Sequence, residues 1–188
     1  MRRLQSTGLE NPLLVIAPPP TEYAVENNFC WYGESFDWFR RYLMQVCHIA
    51  QDPLWTIVPT CMCLPKRATR VSQSEAQTAL LITEILLGLP TTKRVIVVGT
   101  EAYRLHMGYG SKPPGSSLWF SITAGTASKF KPVLTLPDLE NIAALDRWRK
   151  TRDRSVEFRV RMNAEAMQRR MYSGTISARI RNFITEIQ

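Results

Sequence analysis

Three sets of side chains in this sequence could do chemistry. The first is a pair of carboxylates. Glu22 follows an apolar run that breaks on Pro18, Pro19 and Pro20, and Asp138 stands in LPDLEN directly after another apolar run. Two carboxylates facing one cleft can divide general acid and base work, one passing a proton while the other positions water. The second set is His48, His106 and four cysteines. Both imidazoles fall in helical patterns, which favours packing or surface roles. Cys30, Cys47, Cys61 and Cys63 lack the density of a disulfide scaffold, and the one close pair, CMC, is spaced by a single residue, so reduced thiols are expected. The third set is basic and suits phosphate: Lys66, Arg67 and Arg70 in LPKRATR, then Arg147, Arg149, Lys150, Arg152, Arg154, Arg169, Arg170, Arg179 and Arg181 near the end.

The basic residues are unevenly distributed. Asp146 to Gln188 holds eleven Lys or Arg against five Asp or Glu, so this stretch carries +6 of the chain's +8. With a pI near 9.6, an anionic partner is expected. Nucleic acid comes first, because phosphate neutralisation with counterion release drives such binding without base readout on either backbone; DNA is expected ahead of RNA. A hydrophobic content of 45% argues against global disorder, and the apolar runs are too short to cross a bilayer. The start, MRRLQSTGLENP, has no long apolar segment behind its arginines and does not read as a secretory signal. An intracellular, soluble protein is expected, cytoplasmic or organellar if the basic start is a leader.

Strands and helices must position these groups. Runs rich in apolar and β-branched residues predict strands at LLVIA (13–17), LWTIVPT (54–60), RVIVVGT (94–100) and KPVLTLP (131–137). Between them, SFDWFRRYLMQVCHIA (35–50) places Phe36, Phe39, Leu43, Val46 and Cys47 on one helical face, with a start at Ser35. SQSEAQTALLITEILLGLP (72–90) opens on a capping box, Ser72 to Glu75, and closes on Gly88 and Pro90. EAYRLHMG reads as a short helix after a glycine turn, and YGSKPPGSS as loop. Strand and helix alternate, so the expected fold is α/β: a three-layer sandwich around a central four-stranded, mostly parallel sheet. Ligand sites in such sheets lie beyond the carboxyl ends of the strands, which gathers the proline turn, CMCLPKR, Gly99 and PDLEN on one edge. The expected organisation is an α/β domain over 1–145 and a basic helical extension over 146–188. The extension ends in TISARIRNFITEIQ, whose Ile176, Ile180, Phe183, Ile184 and Ile187 form an apolar face.

Over roughly residues 10 to 150 these edge loops resemble the uracil-DNA glycosylase superfamily, most closely its bacterial and archaeal iron-sulfur branches. LLVIAPPPTE resembles the strand and GEAPG-like turn that open those proteins. CWYGESFDWFRRYL is similar to their PFxGxxGxxLxxxL signature, with Gly33 at the glycine, Ser35 at the small residue and Phe39 at the leucine. IVPTCMCLPKR is similar to NxxKCRPPxNR with Cys61 aligned, RVIVVGTEAYRLHMG carries Gly99 and Ala102 in the GxxA positions, and VLTLPDLENIAALDRW stands where an HPS loop leads into the last helix.

The resemblance implies the fold and calls the reaction into question. The acidic position of the first turn holds Ile16, or Ala17 in the branches that carry it one residue later. The asparagine of the second strand corresponds to Ile57 and the histidine of HPS to Leu136. None of these can activate water or donate to a departing base anion. Trp31 fills the base-stacking position. Only Cys61 matches a cluster ligand, so no iron-sulfur cluster and no other cofactor is expected. The implied function is a catalytically inactive, glycosylase-fold protein that binds nucleic acid or serves as an accessory subunit of a replication, repair or ribonucleoprotein complex. Two alternatives stand beside it: an active glycosylase with a variant site using Glu22 and Asp138, and an interaction module docking through the last helix.

Overall fold

The computed structural model describes residues 11–67, 69–107, 121–124, 131–152 and 154–186. All four expected strands form: β1 (Leu13–Ala17), β2 (Trp55–Pro59), β3 (Arg94–Val98) and β5 (Pro132–Leu136). They run parallel to one another, and each is apolar along most of its length because helices cover both faces. A fifth strand, β4 (Ser121–Ala124), pairs antiparallel with β5 and gives the order β2-β1-β3-β5-β4. The sheet is therefore five-stranded, one strand larger than expected. The additional strand follows the expected YGSKPPGSS loop, which lies outside the described residues.

The helices are α1 (Glu22–Glu26), α2 (Glu34–Gln45), α3 (Gln73–Gly88), α4 (Thr100–His106), α5 (Glu140–Thr151), α6 (Phe158–Met171) and α7 (Gly174–Thr185). Alternate residues of each strand point to opposite layers. Leu13, Val15, Ala17, Ile96, Val98, Leu134 and Leu136 pack with Phe39 and Leu43 of α2, Ile142 of α5 and the buried residues of α7. Leu14, Ile16, Val95, Val97 and Val133 pack with Ala79 and Leu86 of α3 and Ala102 and Tyr103 of α4. The result is a three-layer α/β sandwich.

The capping box of α3 forms as expected. Ser72 Oγ accepts from Glu75 N at 3.3 Å, and a Glu75 carboxylate oxygen accepts from Ser72 N at 2.8 Å. The start of α2 differs from the expectation: its N-cap is Gly33, at φ 109°. Ser35 instead accepts a hydrogen bond at 3.1 Å from Trp31 Nε1. His48 lies just past α2 at φ 55°, a left-handed position that lets Ile49 N donate back to Leu43 O at 2.9 Å and end the helix.

The basic stretch is not an appendage. The expected boundary at 145/146 falls inside α5, and Met171, Ile180, Phe183 and Ile184 lie in the same core as the sheet. Tyr42 donates its hydroxyl hydrogen to Met171 O at 2.7 Å, and Arg94 donates to Phe183 O at 2.8 Å while its guanidinium lies 5.2 Å from the Phe183 ring centre. The apolar face of the last helix, read from sequence as a docking surface, is buried within this chain at Ile180, Phe183 and Ile184, with Ile176 half-buried against them. Ile187 lies outside the described residues. Among the described residues no helix is long and apolar enough to cross a membrane.

Candidate nucleic-acid interface

Strand order locates the edge where a ligand is expected. The connection from β1 leads to β2 on one side, while β3 and β5 lie on the other, so the order reverses between β1 and β3. The groups at that reversal are inert or occupied. Ile16, Ala17 and Leu136 are fully buried apolar side chains, and Ile57 is half-buried against the core. The Ala17 carbonyl accepts two hydrogen bonds from Thr60, 3.0 Å from its N–H and 2.7 Å from its hydroxyl. Thr60 O lies 2.9 Å from His106 Nε2, and His106 Nδ1 lies 3.0 Å from the Thr83 hydroxyl. The carbonyl can only accept, so Nε2 carries the proton and Nδ1 accepts from Thr83. Burial lowers the His106 pKa and keeps this ring neutral. His106 is a core histidine that ties β2 to α3 and α4.

The two carboxylates follow the carboxyl ends of different strands, β1 and β5. β1 and β5 are two strand spacings apart, about 9–10 Å. Glu22 is exposed in the first turn of α1. Asp138 is exposed but bonded: one oxygen accepts from Thr100 N at 3.1 Å and the other from the Thr100 hydroxyl at 2.9 Å. It caps α4, which has no side-chain cap of its own from Gly99.

Trp31 is 7% exposed and sits in the core, with ring centres 5.2 Å from Phe36 and 5.6 Å from Phe39. It offers no open face to a base. Its neighbour Tyr32 is 42% exposed, and sequence reasoning missed it. Tyr23, Phe29 and Tyr32 form one cluster, with centroids 4.6 Å apart for Tyr23–Tyr32, 4.9 Å for Phe29–Tyr32 and 6.5 Å for Tyr23–Phe29, all within 27° of parallel. These distances describe Tyr32 laid over the seam between two side-by-side rings. The backbone builds this arrangement locally. Thr21 caps α1 and fixes Tyr23 in its first turn, and the left-handed Asn28, at φ 56°, returns the chain so that Phe29 N donates to Ala24 O at 2.8 Å. The positive φ of Gly33 then turns the chain from Tyr32 into α2.

Tyr32 also borders a groove of about 710 Å³ shared with Gly33, Glu34, Asp37, Arg40, Arg41, Met44 and Arg147. Arg40 is held by Asp52 at 2.6 Å and Arg147 by Glu34 at 3.4 Å. Arg41 makes no ion pair among the described residues.

The expected phosphate contacts divide similarly. Arg149 is bound to Asp146 at 3.4 Å and to Glu165 at 3.7 Å, joining α5 to α6, and Arg170 is half-buried. Lys66, Arg67, Arg70, Lys150, Arg152, Arg154, Arg169, Arg179 and Arg181 are exposed and make no ion pair among the described residues. The loop bearing the first three is pinned by Glu75, which accepts from Lys66 N at 2.8 Å, and by Glu101, which accepts from Val71 N at 2.8 Å. Burial raises the Cys61 thiol in that loop to about 11, so it stays protonated, while Cys63 is exposed. No protein-family model and no curated protein matches this chain.

Proposed function

We propose that the chain is a noncatalytic nucleic-acid-binding domain of glycosylase-like build. In this reading it acts as an accessory part of a DNA replication or repair complex, with a ribonucleoprotein as the other setting. The observation that carries this is the set of nine exposed Lys and Arg side chains, six of them on or between α5, α6 and α7, that make no ion pair within 4 Å among the described residues. Unneutralised like charges repel one another in the free protein and release counterions when phosphate replaces their ion atmosphere. The inert strand edge supports the noncatalytic half. Apolar side chains stand at positions 16, 17 and 136, and of the two candidate carboxylates Asp138 is engaged in capping while Glu22 is exposed on α1.

Binding of a fluorescent DNA or RNA strand across a salt series tests the first half. With 6–10 phosphate contacts, affinity should fall by about 10³–10⁵ between roughly 50 and 200 mM salt. Affinity indifferent to salt, or absent at the lowest salt, would count against the reading. Incubation with oligonucleotides carrying uracil or modified bases tests the second half. Release of free base that is lost in Asp138→Ala or Glu22→Ala would restore the enzymatic alternative.

A further inference from the structure

The aromatic cluster beyond β1 is built for contact rather than for stability. Tyr32 is 42% and Tyr23 51% exposed, although core sites for aromatics exist a few residues away at Trp31 and Phe39. One face of the Tyr32 ring is covered by Tyr23 and Phe29, so its exposure comes from the opposite face and the ring edge, and this ring borders the groove. The stacked Tyr23 and Phe29 rings, 4.6 and 4.9 Å from it, back the Tyr32 ring. An aromatic held rigid from behind and open in front loses little conformational freedom when a second flat ring stacks on it.

The charges beside it suit a phosphate chain. Arg41 makes no ion pair among the described residues, and the exposed pair of Arg147 with Glu34 is loose at 3.4 Å, so Arg147 can exchange its carboxylate for a phosphate at little cost. Glu34 and Asp37 also line the groove and limit phosphate to its arginine side. From Arg147 the exposed stripe of α5 continues to Lys150, which connects the groove to the basic surface described above.

Resting on the nucleic-acid reading above, we infer that the open face of Tyr32, backed by Tyr23 and Phe29, stacks an unpaired base of a single-stranded nucleic acid whose phosphates run past Arg41 toward Arg147. A duplex does not fit this site, because its bases are already stacked on one another and present only their edges. Every base has a π-face, so the site reads strandedness and tolerates sequence.

The full chain and its Tyr32→Ala and Tyr32→Phe variants, each checked by thermal melt, are titrated with single-stranded oligo-dT, oligo-rU, a duplex of equal length and an abasic phosphodiester strand. The single strands should bind more tightly than the duplex. Tyr32→Ala should lose about 5- to 150-fold on both single strands, the range of one base stack, while Tyr32→Phe stays within about twofold because it keeps the ring. Neither variant should change abasic-strand affinity or the salt slope. Salt-dependent binding with no Tyr32→Ala effect, an equal loss on the abasic strand, or displacement of oligo-dT by polyglutamate as readily as by oligo-rU overturns this inference and leaves the phosphate reading intact. No binding to any strand at low salt overturns both.

Discussion

Asp138 and Thr100 join the ends of two parallel strands, the carboxylate taking both the N–H and the hydroxyl of one residue at 3.1 and 2.9 Å. This contact is possible because Gly99 between them lacks a side chain. A Cβ there would lie 2.5 Å from Asp138 Oδ1, and its φ of +89° with ψ of 162° is a conformation close to glycine-only. Gly99→Ala should therefore cost at least about 1–3 kcal/mol of backbone strain. At about 2–4 °C per kcal/mol for a chain of this size, a calorimetric melt should fall by several degrees. An unchanged melt would mean that the turn is not held as described.

Asp138→Ala removes the cap without adding a clash, so it should cost about 1 kcal/mol. Asp138→Asn keeps an acceptor oxygen for Thr100 N–H and should retain much of that. Equal melts for all three proteins would show that the carboxylate does no capping.

Phe183 measures how far the basic end is part of the domain. Phe183→Ala opens a cavity in the main core and should cost about 3–5 kcal/mol in urea unfolding, with one cooperative transition for the whole chain. A separate, earlier transition, with the sheet's own midpoint unmoved, would show the end helices to be an independent unit.

His106 gives a pH dependence with a definite sign. Its folded pKa lies below the ordinary 6.5, so the fold binds this proton less well than the unfolded chain. Stability from the buried neutral ring is complete above about 6.5. It declines as pH falls below that value and through the folded pKa. Urea midpoints measured from pH 7.5 to 5 should fall toward acid, and His106→Gln, less stable at neutral pH, should show a flatter slope over that window. A parallel slope in the variant would assign the effect elsewhere.

Glu75 acts at a lower pH. Hydrogen bonds from Lys66 N, Ser72 Oγ and Ser72 N hold its carboxylate down to about 2. What it contributes is complete above the ordinary value of 4.5, declines as pH falls below that and is gone once pH has fallen through about 2. At neutral pH, Glu75→Gln should release the 61–71 loop and speed tryptic cleavage after Lys66, Arg67 and Arg70, read by mass spectrometry. Unchanged cleavage rates would show that the loop is held by Glu101 alone.

The sheet was readable because a strand covered on both faces must be apolar throughout, and LLVIA and RVIVV have few other uses. The α3 capping box was readable for a similar reason: Ser72 and Glu75 satisfy each other locally, whatever packs around them. The destination of an amphipathic face is a different kind of information. The apolar residues of α7 predict a partner surface and do not say that the surface is the core beneath the sheet of the same chain. The WY pair shows the same limit. Adjacent aromatics point in different directions, and the side that becomes core is decided by where Phe36 and Phe39 pack, which lies outside the local pattern. Arg40 and Arg41 stand on a helix with a clear core face and carry no local sign of a site, and the groove exists only once α5 brings Arg147 alongside.

The two hydrogen bonds on the Ala17 carbonyl have a practical consequence for anyone wishing to give this edge a hydrolytic group. Ala17 packs toward α2 and Ile16 toward α3, each with no accessible surface. A carboxylate installed at either position would lie among hydrocarbon, lose several kcal/mol of hydration and take up a proton before it could activate water. Redesign would have to begin with Thr60 and the layers above and below the strand, opening a wet channel to the end of β1, and only then change the residue at 16 or 17.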